Sequence, residues 1–324
     1  MLSRVASQGF FFVLEYLVKT GERPLMLLLR FLTWLSRWMV PLFMDRSRVE
    51  RIADLSYGES REQRLDVIRP KNLGGKLPVV FLVHGGGFQY FSKGSHAVIA
   101  QRLALMGHVV FNIDYRLAPE SPFPLAMNDV VRAYAWVLKN AESYGGDPSK
   151  IHWVGESAGS NLLAGLLLRV LKLDTSTVEG LDPLPSGFPP PAKAVLHCGF
   201  MQVSNPERWD TDSRASEVSR IRIRVIQRNY MGKFMDQKPS LSDPLLTFEK
   251  MNREEAAKLP PIFVPVGDLD WVYTDSKRLG DALERLGSKG SLFKSYPNQG
   301  HAFYFKWWGK EVPLIWKDIG DFLK

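Results

Sequence analysis

The chain has 324 residues, 45% hydrophobic, 12% aromatic and 23% charged; this allows two domains or one large α/β domain with insertions, and excludes collagen, coiled-coil and disordered classes. Lys+Arg 42 against Asp+Glu 34 gives a formal net charge of +8, a balance that suits nucleic acid, anionic lipid or an acidic ligand. The single cysteine, Cys198, excludes an intramolecular disulfide framework and a cysteine-based structural zinc site, and reads as a small buried apolar residue.

The amino-terminal stretch differs from the rest. Phe10–Tyr16 and Leu25–Phe43 are rich in Phe, Leu, Trp and Met. No small-residue cleavage pattern follows the first apolar run, so an intracellular, cytoplasmic or membrane-associated location is favoured over a secreted one. Leu25–Phe43 approaches the length of a spanning helix. However, Arg30 and Arg37 lie near its middle, and each opposes insertion by about 2.5–3.5 kcal/mol. Apolar Leu27, Leu28, Phe31, Leu32, Leu35 and Trp38 recur at helical spacing, which predicts an amphipathic helix. Residues 1–51 hold eight basic and four acidic side chains, half of the chain's excess charge. Such a segment is expected to cap the remainder of the protein, to touch a membrane peripherally, or both. The expected organisation is therefore residues 1–52 as amphipathic cap helices ahead of a main domain over 53–324.

From about Leu55 onward, short β-branched runs alternate with helical patterns. Arg64–Ile68 reads as an early antiparallel strand. Val79–Val83, Val109–Asp114, Ile151–Glu156, Ala194–His197, Ile262–Val266 and Leu292–Tyr296 read as buried strands. Between and after them, His96–Met106, Pro122–Tyr144, Ser157–Leu171, Asp275–Leu286 and Glu311–Leu323 read as helices. This alternation implies an α/β fold with a mostly parallel sheet covered on both faces. The Pro/Gly-rich Leu181–Pro191 reads as a loop. Asn205–Gln237 interrupts the alternation with Arg208, Arg214, Arg220, Arg222, Arg224 and Arg228 among Ile221, Ile223, Val225 and Ile226. It reads as a lid, a lipid-facing surface or a solvated helix. No RNA-binding strand motif, zinc finger or helix-turn-helix accompanies the charge, so nucleic acid is not expected as a partner.

The sharpest chemical signal is Gly155-Glu156-Ser157-Ala158-Gly159, a G-x-S-x-G directly after a strand pattern and before a helix. Its glycines permit a tight turn that lifts the Ser157 hydroxyl out of the sheet, with a helix amino terminus aimed at the site. A serine hydroxyl needs an adjacent base held by a third group. His301, in Gln299-Gly300-His301, follows the last strand; Asp270, in Gly267-Asp268-Leu269-Asp270, follows the strand before. Both sit where open α/β sheets place their ligands. His84, His96, His108, His152 and His197 compete for the base and Asp268 for the acid, while Asp275 reads as a helix cap. His84-Gly85-Gly86-Gly87-Phe88 follows a strand, and its unobstructed N–H groups, with that of Ala158, can form an oxyanion hole.

HGGGF at 84–88, DYRLAPE at 114–120, GESAGSN at 155–161 and GH at 300–301 resemble, in order and spacing, the hormone-sensitive-lipase-like branch of the α/β-hydrolases. The resemblance covers about residues 60–324. It implies an eight-stranded α/β-hydrolase fold with a helical cap from the amino-terminal helices and the insertion 205–237. It also implies Ser157 as nucleophile, Asp270 as acid and His301 as base, with Gly85, Gly86 and Ala158 as oxyanion donors. His84, Gly87 and Glu156 are implied to support them; Glu156 stands where many members carry Asp. The expected activity is hydrolysis of a hydrophobic or short-chain carboxylic ester, including esters of specialised metabolites, with no cofactor. An amidase or aryl-formamidase, a membrane-associated lipase or sterol-ester hydrolase, and a non-catalytic ligand receptor are the alternatives.

Overall fold

The structure, a computed structural model, describes residues 22–72, 74–305 and 309–324; the apolar run Phe10–Tyr16 lies outside them. Eight strands form one sheet: β1 (Val49–Ser56), β2 (Arg64–Pro70), β3 (Leu77–Val83), β4 (Val109–Ile113), β5 (Gly146–Glu156), β6 (Lys193–His197), β7 (Ile262–Gly267) and β8 (Leu292–Tyr296). Their spatial order is β1-β2-β4-β3-β5-β6-β7-β8. β1 and β2, and β2 and β4, pair antiparallel; the remaining pairs are parallel.

Strand residues alternate between two cores. Val79, Phe81, Val83, Phe111 and Trp153 pack with helices α3 (Leu125–Asn140), α4 (Ala158–Val170) and α8 (Tyr273–Leu286) on one face. Val80, Leu82, Val110 and Val154 pack on the other with α2 (Ala97–Leu105) and α9 (Val312–Leu323). Burial on both faces explains why β3, β4 and β5 read as unbroken apolar runs. Between β6 and β7 the chain carries α5 (Glu217–Met231), α6 (Pro244–Lys250) and the short α7 (Arg253–Ala256).

Two expectations change. The boundary after residue 52 falls inside β1, which pairs Val49 with Pro70 and Ser56 with Arg64. This edge strand is half exposed and carries Glu50, Arg51 and Asp54, so it lacks the apolar signature of its neighbours. Asp275 does not cap its helix. It lies within α8, fully buried, where both carboxylate oxygens meet the Arg208 guanidinium at 3.1 and 2.8 Å.

The amino-terminal helix α1 (Glu22–Met39) continues into a short turn of 3₁₀ helix, Val40–Phe43. Polar contacts hold it to the sheet domain. Arg30 pairs with Glu120 at 2.7 Å, the Phe91 N–H donates to Thr33 Oγ1, and Arg37 reaches Asp114 at 3.1 Å. Leu27, Phe31, Trp34, Trp38, Leu42 and Phe43 all face outward, and Trp38 is 62% exposed. Of the apolar stripe predicted from spacing, Leu27, Phe31, Leu35 and Trp38 are exposed, while Leu28 and Leu32 are half-buried. No helix among the described residues is long and apolar enough to cross a membrane.

Candidate active site

Ser157 closes β5 and opens α4. Its backbone takes φ 51° and ψ −112°, a strained conformation for a residue with a side chain. The surroundings fix it: the Ser157 N–H donates to the His197 carbonyl at 2.9 Å, and its own carbonyl accepts from Phe200 at 3.2 Å. No side chain fits at either flanking glycine. A β-carbon on Gly155 would meet the Ser160 nitrogen, and one on Gly159 would collide with the Val83 carbonyl.

His301 follows β8 and Asp270 follows β7. His301 Nε2 stands 3.1 Å from Ser157 Oγ, and His301 Nδ1 is 2.8 and 3.0 Å from the two Asp270 oxygens. Asp270 is fully buried and accepts the Val272 N–H at 3.0 Å. Asp268 lies on the same turn, but its carboxylate makes no bond to His301. Burial disfavours the charged imidazolium of His301, yet the adjoining Asp270 carboxylate prevails and holds its pKa above the ordinary 6.5. The competing histidines lie elsewhere. Burial depresses His84 and His197 to about 3 and His152 to about 4, so all three are neutral. His96 instead points Nε2 at Glu156 Oε2, 3.3 Å away.

The glycine loop is locked against this turn. Gly85 lies so close to Glu156 that a β-carbon would collide with its carboxylate and its carbonyl. Gly86 and Gly87 have φ of 102° and 60°, conformations that favour glycine. His84 supports the loop from below: its Nδ1 bonds the Gly85 carbonyl at 2.7 Å, its ring stacks on Tyr115, and the Tyr115 hydroxyl donates to the His84 carbonyl. From above, a β-carbon on Gly87 would lie 2.6 Å from Ile226 of α5, and the Phe88 ring stacks on Tyr230 at 3.7 Å. The structure thus brings Ser157, His301 and Asp270 together and packs the glycine loop against Glu156 beside Ser157.

Several contributors were not foreseen. Trp271 packs its ring 4.9 Å from His301, and the Trp209 indole donates to the Trp271 carbonyl at 2.7 Å. Asn161 carries Nδ2 bonds to the Phe200 and Ser242 carbonyls, tying α4 to the segment after β6 and to the approach to α6. His96 orients Glu156, whose Oε1 lies 3.8 Å from His301 Nε2. Burial works against ionisation of Glu156, but the His96 hydrogen bond and nearby histidines keep its carboxyl below the usual range. None of these partners adjoins the other in sequence, so local pattern could not pair them.

Glu156, Cys198 and His301 place one possible ligand atom each within 4.8 Å of one another. The set is poorly suited to a metal. Both nitrogens of His301 are engaged, and burial raises the Cys198 thiol far above its ordinary value, so it stays protonated.

A strained serine at a strand-to-helix turn, in reach of a histidine and a buried aspartate at the ends of neighbouring parallel strands, is the arrangement of an α/β-fold serine hydrolase. A family model described as alpha/beta hydrolase fold matches residues 80–305. The chain belongs to this family, within its hormone-sensitive-lipase-like branch, and is a carboxylesterase-type hydrolase. It is 27% identical over 78% of its length to a versiconal hemiacetal acetate esterase of Dothistroma septosporum, spanning 74% of that protein. It is 30% identical over 76% of its length to the esterase LipC of Mycobacterium tuberculosis, spanning 58% of it. A hyperthermophilic esterase from the archaeon Pyrobaculum calidifontis superposes with a TM-score of 0.74 and 25% identity, covering 92% of this chain and 90% of the other.

Proposed function

We propose that the chain hydrolyses short-chain or hydrophobic carboxylic esters through an acyl-enzyme on Ser157. The observation that carries this reading is the continuous path from Ser157 Oγ to His301 Nε2 at 3.1 Å and from His301 Nδ1 to Asp270 at 2.8 Å. His301 Nε2 takes the Ser157 proton as Oγ attacks the ester carbonyl. Asp270 holds the ring in the required tautomer and stabilises the imidazolium. The N–H groups of Gly85, Gly86 and Ala158 donate to the developing oxyanion, each such donor typically contributing about 10²–10³ in turnover. The imidazolium then protonates the departing alcohol, and water repeats the sequence to release the acid.

Trp271 packs beside His301 and joins a cluster with Phe200 and Trp209, which favours an apolar portion on the ester. The acetate in the name of the Dothistroma relative agrees with a small acyl group on a specialised metabolite. The test is turnover of p-nitrophenyl acetate and butyrate together with organophosphonate labelling, both expected to vanish in Ser157→Ala. Intact protein that neither turns over nor labels overturns the reading. Faster cleavage of aryl formamides than of acetate esters assigns it to the amidases instead.

The outward apolar face of α1 supports peripheral membrane contact as a second property. Trp34 and Trp38, at helical spacing with Leu27 and Phe31, present an aromatic stripe of the kind that settles at a lipid interface. Co-sedimentation with phosphatidylglycerol vesicles is expected, and it should be lost in Trp34→Glu/Trp38→Glu; equal sedimentation of the two proteins refutes the contact.

A further inference from the structure

The basic insertion is a set of arginines with different occupations. Arg208 is spent on Asp275, Arg214 on Asp212 and the Asp268 carbonyl, Arg220 on the Trp209 carbonyl, and Arg224 on Asp210. Arg228 is also engaged. Arg222 stands apart. Among the described residues it has neither a hydrogen bond nor an ion pair, and its Nε is fully buried without an acceptor. Burial depresses its pKa, with Tyr90 acting in the opposite direction.

The position of Arg222 follows from the packing of α5. One turn further along, Ile226 lies over Gly87; one turn beyond that, the Asn229 amide donates to Gln89 Oε1 at 2.7 Å. Arg222 shares this face at helical spacing. Just before α5 the chain is tied to the other side of the site, since Trp209, which accepts from Arg220, donates to Trp271 beside His301. Arg222 therefore lies one helical turn before the residue that covers Gly87, and its charge opposes protonation of His301.

A buried guanidinium Nε–H without an acceptor carries a desolvation cost. The guanidinium's planar fork matches a carboxylate in two parallel hydrogen bonds. We propose that Arg222 binds a carboxylate carried by the ester substrate, making the preferred substrates half-esters of dicarboxylic acids or acyl esters of hydroxy acids. A monoanion suits the site better than a phosphate dianion, because Glu156 and Asp270 already place two buried carboxyl groups around His301. The inference rests on the ester-hydrolase reading and deepens it by naming the substrate class.

Two isosteric pairs test it: ethyl hydrogen glutarate against ethyl 5-methylhexanoate, and 4-acetoxybutyrate against 4-methylpentyl acetate. The first places the charge on the acyl side and the second on the alcohol side. In Arg222→Leu the anionic-to-neutral ratio of kcat/KM is expected to fall at least tenfold in one pair. Arg222→Lys should recover part of it, and Arg224→Leu, on the same helix, should keep the original ratio. Ratios within twofold of the parent in both pairs overturn the proposal. Binding of ethyl hydrogen glutarate to Ser157→Ala, followed by calorimetry, judges Arg222 without turnover: at least tenfold weakening on adding Arg222→Leu supports it, and equal affinity overturns it. Failure of the parent enzyme on all four esters strikes the ester reading, while this binding measurement still decides the role of Arg222.

Discussion

Replacing Asp270 by asparagine removes one charge and inserts one donor in a fully buried position. Asp270 Oδ1 accepts from both Val272 N–H and His301 Nδ1. In the variant the amide oxygen stays with the Val272 N–H, which puts the new NH₂ group at the Oδ2 position, 3.0 Å from His301 Nδ1. That nitrogen becomes an acceptor, and the ring proton moves to Nε2, where it confronts Ser157 Oγ instead of receiving its proton. The imidazolium also loses its counter-ion; a charge pair about 4 Å apart at an effective dielectric of about 20 is worth about 4 kcal/mol. That alone lowers the rate about 10³-fold, and the wrong tautomer brings the total to about 10⁴. The assay is kcat for p-nitrophenyl butyrate near neutral pH, accompanied by thermal unfolding to establish that the variant is folded. Asp268→Asn serves as the comparison and should stay within a few-fold of the parent. A loss below tenfold in Asp270→Asn, or an equal loss in Asp268→Asn, refutes the reasoning.

Because Asp270 raises the His301 pKa above the ordinary 6.5, activity should climb as pH rises through a value above 6.5, where the ring becomes the neutral base; a kcat/KM profile locating this limb at or below 6.5 contradicts the assignment. Gly85→Ala brings a β-carbon against the Glu156 carboxylate and carbonyl, so the oxyanion loop must shift. A fall in kcat of about 10²-fold is expected with the circular dichroism spectrum retained. Asp275→Ala leaves Arg208 without its partner beneath the insertion, and removing one member of a buried pair costs about 3–5 kcal/mol, read as a lowered denaturant midpoint.

Legibility followed burial. Strands β3, β4, β6 and β7 and the second half of β5 could be read because parallel strands covered on both faces are largely apolar; β8, expected to be buried, is a partly exposed edge strand. Ser157, Asp270 and His301 could be read because each follows a strand end. β1 escaped because an exposed edge tolerates charges. Asp275 was misplaced because its partner Arg208 lies 67 residues away, beyond any local pattern; the same distance problem concealed the His96–Glu156 bond. For α1 the spacing gave the helix but not which of its apolar residues face outward, which is set by Arg30, Thr33 and Arg37 gripping Glu120, Phe91 and Asp114. Arg222 was hidden among arginines of identical sequence character; only their occupied partners distinguish it.

The joint between α5 and the glycine loop bears on how this scaffold can be remodelled. Ile226 occupies the space left by the missing β-carbon of Gly87, Tyr230 stacks on Phe88, and Asn229 bonds Gln89. These three pairs interlock a segment usually treated as exchangeable with one that must keep its backbone amides in place. On the proposed mechanism, an α5 segment grafted from another hydrolase brings a different mould for the glycine loop, and selection on α5 alone trades new selectivity for lost turnover. Libraries that vary 87 with 226, 88 with 230 and 89 with 229 search the pocket's shape without dismantling its chemistry.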